Sequence, residues 1–200
     1  MRLFVALDIA PIIRERVQHF VDEVRDSAPH ARWIPVESLH VTLKFIGEVA
    51  PQKSDAIRAT LIATEELDAI PGAMELSLRG FGFFPNATSA RVFWAGVEPA
   101  DRLASLARAL DERLAQIGIR SEQHPFRPHL TLARGAGDSG GSSKTRETTA
   151  HSRFGILQKK LAGMHTPEFG TITAREFFLY ESQLLPGGPR YTKIGRFALK

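Results

Sequence analysis

HVTLKF at residues 40–45 and HLTLAR at residues 129–134 carry nearly the same message, about 90 residues apart. Each runs His, apolar, Thr, Leu. The chain has 200 residues, with seven histidines, twelve threonines and an apolar fraction of 43%. Composition alone then supplies about 0.08 strings of His, apolar, Thr, apolar. Two are present. Strict alternation of polar and apolar residues marks a strand with one wet face and one packed face. His40 and Thr42 therefore share a face, with Lys44 following on it, while Val41, Leu43 and Phe45 turn toward a core. His129 and Thr131 share a face likewise, backed by Leu130 and Leu132. Facing each other across a cleft, two such strands present two imidazoles and two hydroxyls to one ligand.

Working outward, the first strand is expected at 39–46, closed by Gly47, and the second within 126–134. RLFVALDI (2–9) alternates as an opening strand. Pro11 then starts a helix that places Ile13, Val17, Phe20, Val21 and Val24 on one face. A second helix is read from Gln52 to Leu67, and strands at 73–84 and 90–97 are joined across a turn at NATS. DRLASLARALDERLAQIG reads as a helix with Asp101 as cap, Leu103, Leu106, Leu110 and Leu114 inward, and Gly118 as its stop. Residues 135–152 are rich in Gly, Ser and Thr without apolar period, which predicts a mobile loop. A short helix in 154–164, a long strand at 169–185 and a returning hairpin complete the chain. Hairpins and long neighbouring strands favour antiparallel sheets, so the class is α+β, in one domain over 1–200.

Composition narrows the chemistry. There is no cysteine, which excludes disulfides, thiolate metal sites and a thiol nucleophile, and fits a reducing cytoplasmic setting. No stretch approaches the roughly 20 apolar residues of a membrane helix. The net charge of +4 is uneven. Residues 1–100 hold 10 Lys/Arg against 13 Asp/Glu, and residues 101–200 hold 16 against 9. That asymmetry suits an acidic partner such as RNA, though a solvated basic surface is the commoner meaning.

A single His on a strand is most often structural, and Thr favours strands for its β-branch alone. The repetition with equal spacing on equal faces reverses that judgement. Two imidazoles suit phosphoryl transfer, one neutral to take a proton from the attacking oxygen and one charged to give a proton to the leaving oxygen. Threonine hydroxyls can hold the non-bridging oxygens. The chain has no HxH, no HExxH and no carboxylate within either phrase, which argues against a metal site.

Together with RLFVALD, RWIPVESLHVTLKFIGEV, GFGFFP, ARVFWAGV, FRPHLTLAR and LYESQLLPGGPRY, the two phrases make the chain resemble the two-histidine phosphoesterase superfamily. Within it, the chain is most similar to the RNA 2',3'-cyclic phosphodiesterase (2'-5' RNA ligase) family. The resemblance implies two pseudo-symmetric lobes of antiparallel sheet with flanking helices and an active-site cleft between them. It implies hydrolysis of a 2',3'-cyclic phosphate to a 2'-phosphomonoester with no cofactor, and 2'-5' ligation when an RNA 5'-hydroxyl replaces water. On it, His40 is the proton donor and His129 the acceptor, with Thr42 and Thr131 on the phosphate. Partners are then RNA with a cyclic-phosphate end or a 2'-5' linkage, and nucleotides, with no membrane, the protein acting as a monomer.

Further substrate contacts are expected at Arg134, Arg127, Phe81, Ser182 and Tyr191. Arg134 has the wrong parity for the cleft face on a regular strand, so a strand end or bulge must redirect it. Of Phe81, Phe83 and Phe84, two are expected in the core. Two other readings stay open: a non-catalytic RNA- or nucleotide-binding module, and a cyclic phosphodiesterase acting on a small nucleotide.

Overall fold

The computed structural model describes residues 1–65, 72–135, 154–185 and 188–199. The residues predicted as a mobile loop, all but Gly135, lie outside that set, as do the end of the helix expected to reach Leu67 and the tip of the last hairpin. The described elements run β1 (Arg2–Asp8), α1 (Pro11–Val24), β2 (Arg32–Trp33), β3 (His40–Glu48), α2 (Lys53–Glu65), β4 (Met74–Phe84) and β5 (Val92–Glu98). Then come α3 (Ala100–Gln116), β6 (His129–Arg134), α4 (Gly155–Ala162), β7 (Glu168–Ala174), β8 (Glu176–Leu185) and β9 (Gly188–Ala198). No described helix is long and apolar enough to cross a membrane.

The strands form two antiparallel sheets, ordered β3-β1-β8-β9 and β2-β6-β5-β4-β7. The fold is α+β, as the alternation of helices with hairpins implied. The long strand expected at 169–185 is in fact two. It breaks at Arg175, so that β7 completes the second sheet and β8 joins the first. The chain thus crosses between the sheets four times, from β1 to β2, β2 to β3, β3 to β4 and β7 to β8, since β2 also pairs in the second sheet, against β6. Apolar content alone cannot register such a crossing, because both halves of the stretch read as strand.

The helices cross over too. α1 follows β1 of the first sheet in sequence but packs on β7 of the second, burying Ile13, Val17, Phe20, Val21 and Val24. The approach is close: a Cβ at Gly170 of β7, where φ is +113°, would sit 2.5 Å from Arg16 and 3.1 Å from Ile13. α3 lies between strands of the second sheet but packs on β3 of the first, with Leu103, Leu106, Leu110 and Leu114 fully buried. Asp101 does not cap it; the helix starts at Ala100 after Pro99, and Asp101 occupies the first turn. This exchange joins the inner faces of both sheets into one contiguous apolar core. Its burial is the main stabilising term.

Both histidine strands sit where the sheets meet. β3 is the outer strand of its sheet, β6 lies next to the two-residue β2, and the two pack against each other.

Candidate active site

Both strands carry the same irregularity at the same place. In β3, Lys44 pairs with Val5 and Thr42 with Ala6, so Leu43 has no partner. In β6, Ala133 pairs with Phe93 and Thr131 with Trp94, so Leu132 has none. Each is a one-residue bulge three positions after the histidine, and it resets the alternation of faces. Leu43 and Lys44 are both buried, as are Leu132 and Ala133. Phe45 and Arg134, on the opposite parity from their histidines, therefore return to the histidine face.

That geometry corrects two expectations and explains a third. Lys44 does not follow His40 and Thr42 on the wet face; it is buried on the other side. There its Nζ lies 2.6 Å from Asp111 Oδ1 of α3 and donates to the Arg120 carbonyl at 2.7 Å. Phe45 does not enter the core; it is 53% exposed. Arg134 is redirected by the bulge. Its positive charge lowers both His40 and His129.

The two imidazoles are tethered alike. His40 Nδ1 is 2.7 Å from the Ser38 carbonyl, and His129 Nδ1 is 2.7 Å from the Arg127 carbonyl. A carbonyl only accepts, so each Nδ1 carries the hydrogen, and each Nε2 is left free for the cleft. In the neutral ring that nitrogen is a base; in the charged ring it is a proton donor.

Their surroundings differ. His40 is enclosed by aromatic rings: Phe4 at 4.7 Å, Tyr191 edge-on at 5.2 Å and Tyr180 at 6.1 Å. Burial pushes it down to about 4; the Ser38 carbonyl opposes the shift, and the charges of Arg134 and Arg14 add to it. Asp8, opposite His40 on β1, works against this weakly, because its carboxylate is engaged by Arg14 at 2.5 Å and by Lys193. Burial also holds the Tyr180 phenol above its ordinary value. His129 meets Phe84 edge-on at 4.9 Å and Trp94 at 6.5 Å. Burial lowers it too, the Arg127 carbonyl resists, and Arg134 adds to the fall.

Phe84, not Phe81, is the phenylalanine of this segment on the cleft face. A bulge at Gly80 shifts the pairing of β4 with β5, so that Gly82 lies opposite Trp94 and Phe84 opposite Val92. Phe81 and Phe83 then face the core ring of Phe93, at 6.1 and 5.1 Å. The Trp94 ring lies over Gly82, where a Cβ would come within 2.2 Å of it, and Phe84 stacks on that ring at 5.0 Å. The glycine inside an otherwise apolar strand was the available signal for this shift. Tyr191 reaches His40, as above. Ser182 is its pairing partner across β8 and β9, two residues along from Tyr180 on the same face. Arg127 lends its carbonyl to His129, and its side chain lines the same cavity of about 980 Å³ as Thr42 and His129. No three described His, Asp or Glu side chains converge as metal ligands.

Known proteins resemble the chain over its full length. The profile of the 2'-5' RNA ligase superfamily matches residues 13–153. The RNA 2',3'-cyclic phosphodiesterase of Methanothermobacter thermautotrophicus is 31% identical, over 100% of this chain and 99% of its own. That of Archaeoglobus fulgidus is 34% identical, over 98% and 99%. Among solved structures, Escherichia coli LigT complexed with 3'-AMP superposes with a TM-score of 0.74 at 28% identity, covering 99% of this chain and 97% of LigT. The repeated histidine strands, their matching tethers and this full-length likeness place the chain in the 2'-5' RNA ligase superfamily.

Proposed function

We propose that the protein is an RNA 2',3'-cyclic phosphodiesterase that works by paired histidine acid–base catalysis. One observation carries this reading: two imidazoles, each tied through Nδ1 to the carbonyl two residues earlier, each beside a threonine, share one guanidinium. The curated relatives bear the same activity in their names.

Water attacks the phosphorus opposite the 3'-oxygen, and His129 Nε2 takes its proton. As the bond to the 3'-oxygen breaks, His40 Nε2 gives that oxygen a proton, leaving a 2'-phosphomonoester. Thr42 and Thr131 donate to the non-bridging oxygens, and Arg134 balances their charge. Each turnover leaves the proton on the other histidine, and exchange with solvent resets the pair. With an RNA 5'-hydroxyl in place of water, the same steps form a 2'-5' linkage.

The electrostatics agree with the division of labour. His40, held at about 4 in the free protein, is a strong acid once protonated. Its protonated form is scarce at pH 7, and the negative charge of a bound phosphate raises that fraction. The pH dependence of kcat/KM, which reports the free enzyme, should therefore peak on the acid side of ordinary imidazole, and that of kcat at higher pH. The test is a nucleoside 2',3'-cyclic phosphate incubated in EDTA, with chromatography that separates 2'- from 3'-phosphate. The expected result is 2'-phosphate alone, at a rate unchanged by chelation. Loss of turnover in EDTA with recovery on added Mn²⁺ or Zn²⁺ would overturn the mechanism.

A further inference from the structure

The Ser38 carbonyl that holds His40 Nδ1 belongs to a 3-10 turn, Val36–Ser38, on the crossing from β2 to β3. Within the turn, the Ser38 amide donates to the Pro35 carbonyl at 2.8 Å, and the Leu39 amide to the Val36 carbonyl at 3.2 Å. A side chain from α1 reaches it from outside. Arg14 donates from Nη1 to that same Val36 carbonyl, from Nε to the Ile9 carbonyl at 3.0 Å, and from Nη2 to Asp8 Oδ1 at 2.5 Å. A planar guanidinium, with its fixed fork of donors, is the side chain that serves three such acceptors at once. It joins the end of β1 to the turn that precedes His40. The Arg127 carbonyl that holds His129 has no such brace among the described residues.

The same guanidinium governs what faces the imidazole. Asp8 of β1 pairs directly across from His40, where a free carboxylate would bind the charged ring. Both of its oxygens are engaged instead. Oδ1 accepts from Arg14 and from the Ile9 amide at 2.8 Å, and Oδ2 is held by Lys193 of β9. The other polar groups around His40 are Arg134 of β6 and the phenols Tyr180 of β8 and Tyr191 of β9. Burial lowers His40 most and the Ser38 carbonyl resists; Arg134 and Arg14 add to the fall, and Asp8 opposes it.

We propose that Arg14 is a positioning residue for His40: it fixes the turn that aims the imidazole and keeps the Asp8 carboxylate off the ring. The inference rests on the phosphodiesterase reading and adds to it a residue that acts through the proton donor. Its two parts are separable. The aim of the ring depends on the fork that reaches Val36, whereas the hold on Asp8 needs only a cation.

The test measures kcat for a nucleoside 2',3'-cyclic phosphate at the pH optimum of each variant, and follows both imidazoles by NMR titration of the free protein. Arg14→Met should lower kcat roughly 10- to 100-fold, as a misaimed group does, with KM within about twofold. The His40 resonance should titrate at higher pH than in wild type, and that of His129 should not move. Arg14→Lys keeps the charge without the fork, so the His40 titration should return toward wild type while kcat stays about fivefold or more below it. It also serves if Arg14→Met fails to fold. Near-normal kcat in Arg14→Met, or in Arg14→Lys where that variant alone folds, overturns the inference and leaves the phosphodiesterase reading intact. An unmoved His40 titration in Arg14→Met overturns it as well. So does a His129 resonance that shifts along with that of His40, because the change is then general. A wild-type protein that leaves the cyclic phosphate intact removes the phosphodiesterase reading and this inference together.

Discussion

β3 and β6 begin alike and end differently. Each offers His, Thr and a bulge at the following Leu, and each ties its imidazole to the carbonyl two residues before. After the bulge, β3 returns a phenylalanine to the cleft and buries a lysine, whereas β6 returns an arginine and buries an alanine. The common part places two equivalent nitrogen atoms; the divergent part makes the site asymmetric. One side gains an exposed apolar ring, and the other gains a cation whose charge lowers both imidazoles. Two strands that begin alike thus give their histidines different surroundings, which is what the proposed division into acid and base requires.

The sharpest way to break this comparison is at the histidines. His40→Ala and His129→Ala should each lower kcat by roughly 10²–10⁴ without unfolding the protein. The double variant should lose less than the product of the single losses, because both act in one transition state. Near-normal turnover by either single variant would make the repeated phrase structural. Next comes the buried side of the β3 bulge. Asp111→Asn leaves the Lys44 ammonium, 1% exposed, without its nearest carboxylate, and should cost about 3 kcal/mol of stability in a urea titration. Ala133, the matching position on β6, has no such partner to lose, and Ala133→Ser should be much milder.

Arg134→Met probes the divergent residue on the other strand. It should lower kcat/KM by about 10- to 100-fold, the range for a charge-assisted contact to phosphate. Because Arg134 depresses both imidazoles, its removal should also move the acidic limb of the pH profile upward. An unchanged profile would separate Arg134 from the pair. The smallest effect is on stability. With His40 at about 4 folded and near 6.5 unfolded, the unfolded chain binds the extra proton between those values. Stability is therefore full above pH 6.5 and declines toward pH 4. Between pH 7 and pH 5, wild type should lose roughly 1–2 kcal/mol more than His40→Gln. Equal losses would mean that the aromatic enclosure of His40 does not hold it neutral.

Several features of the site were legible in the residues themselves. The period of two on each side of Thr42 and Thr131, the Leu stripe of α3 and the glycine after it depend only on local geometry, and local geometry is what sequence encodes most directly. The shared face of each His–Thr pair follows from the same rule, since it spans two residues with no irregularity between them. What lay beyond the next residue was decided by pairing. A bulge exists only relative to a neighbouring strand, so Lys44, Phe45 and Arg134 could not be assigned to a face until β1 and β5 were in register. Gly80 moved Phe81 inward and Phe84 outward in the same way. The break at Arg175, which sends one strand-like stretch into two sheets, likewise depends on where each half finds its partners. Sequence by itself singled out the two His–Thr pairs. Only the tertiary structure decided which side chains stand around them, because parity is a property of one strand and register a property of two.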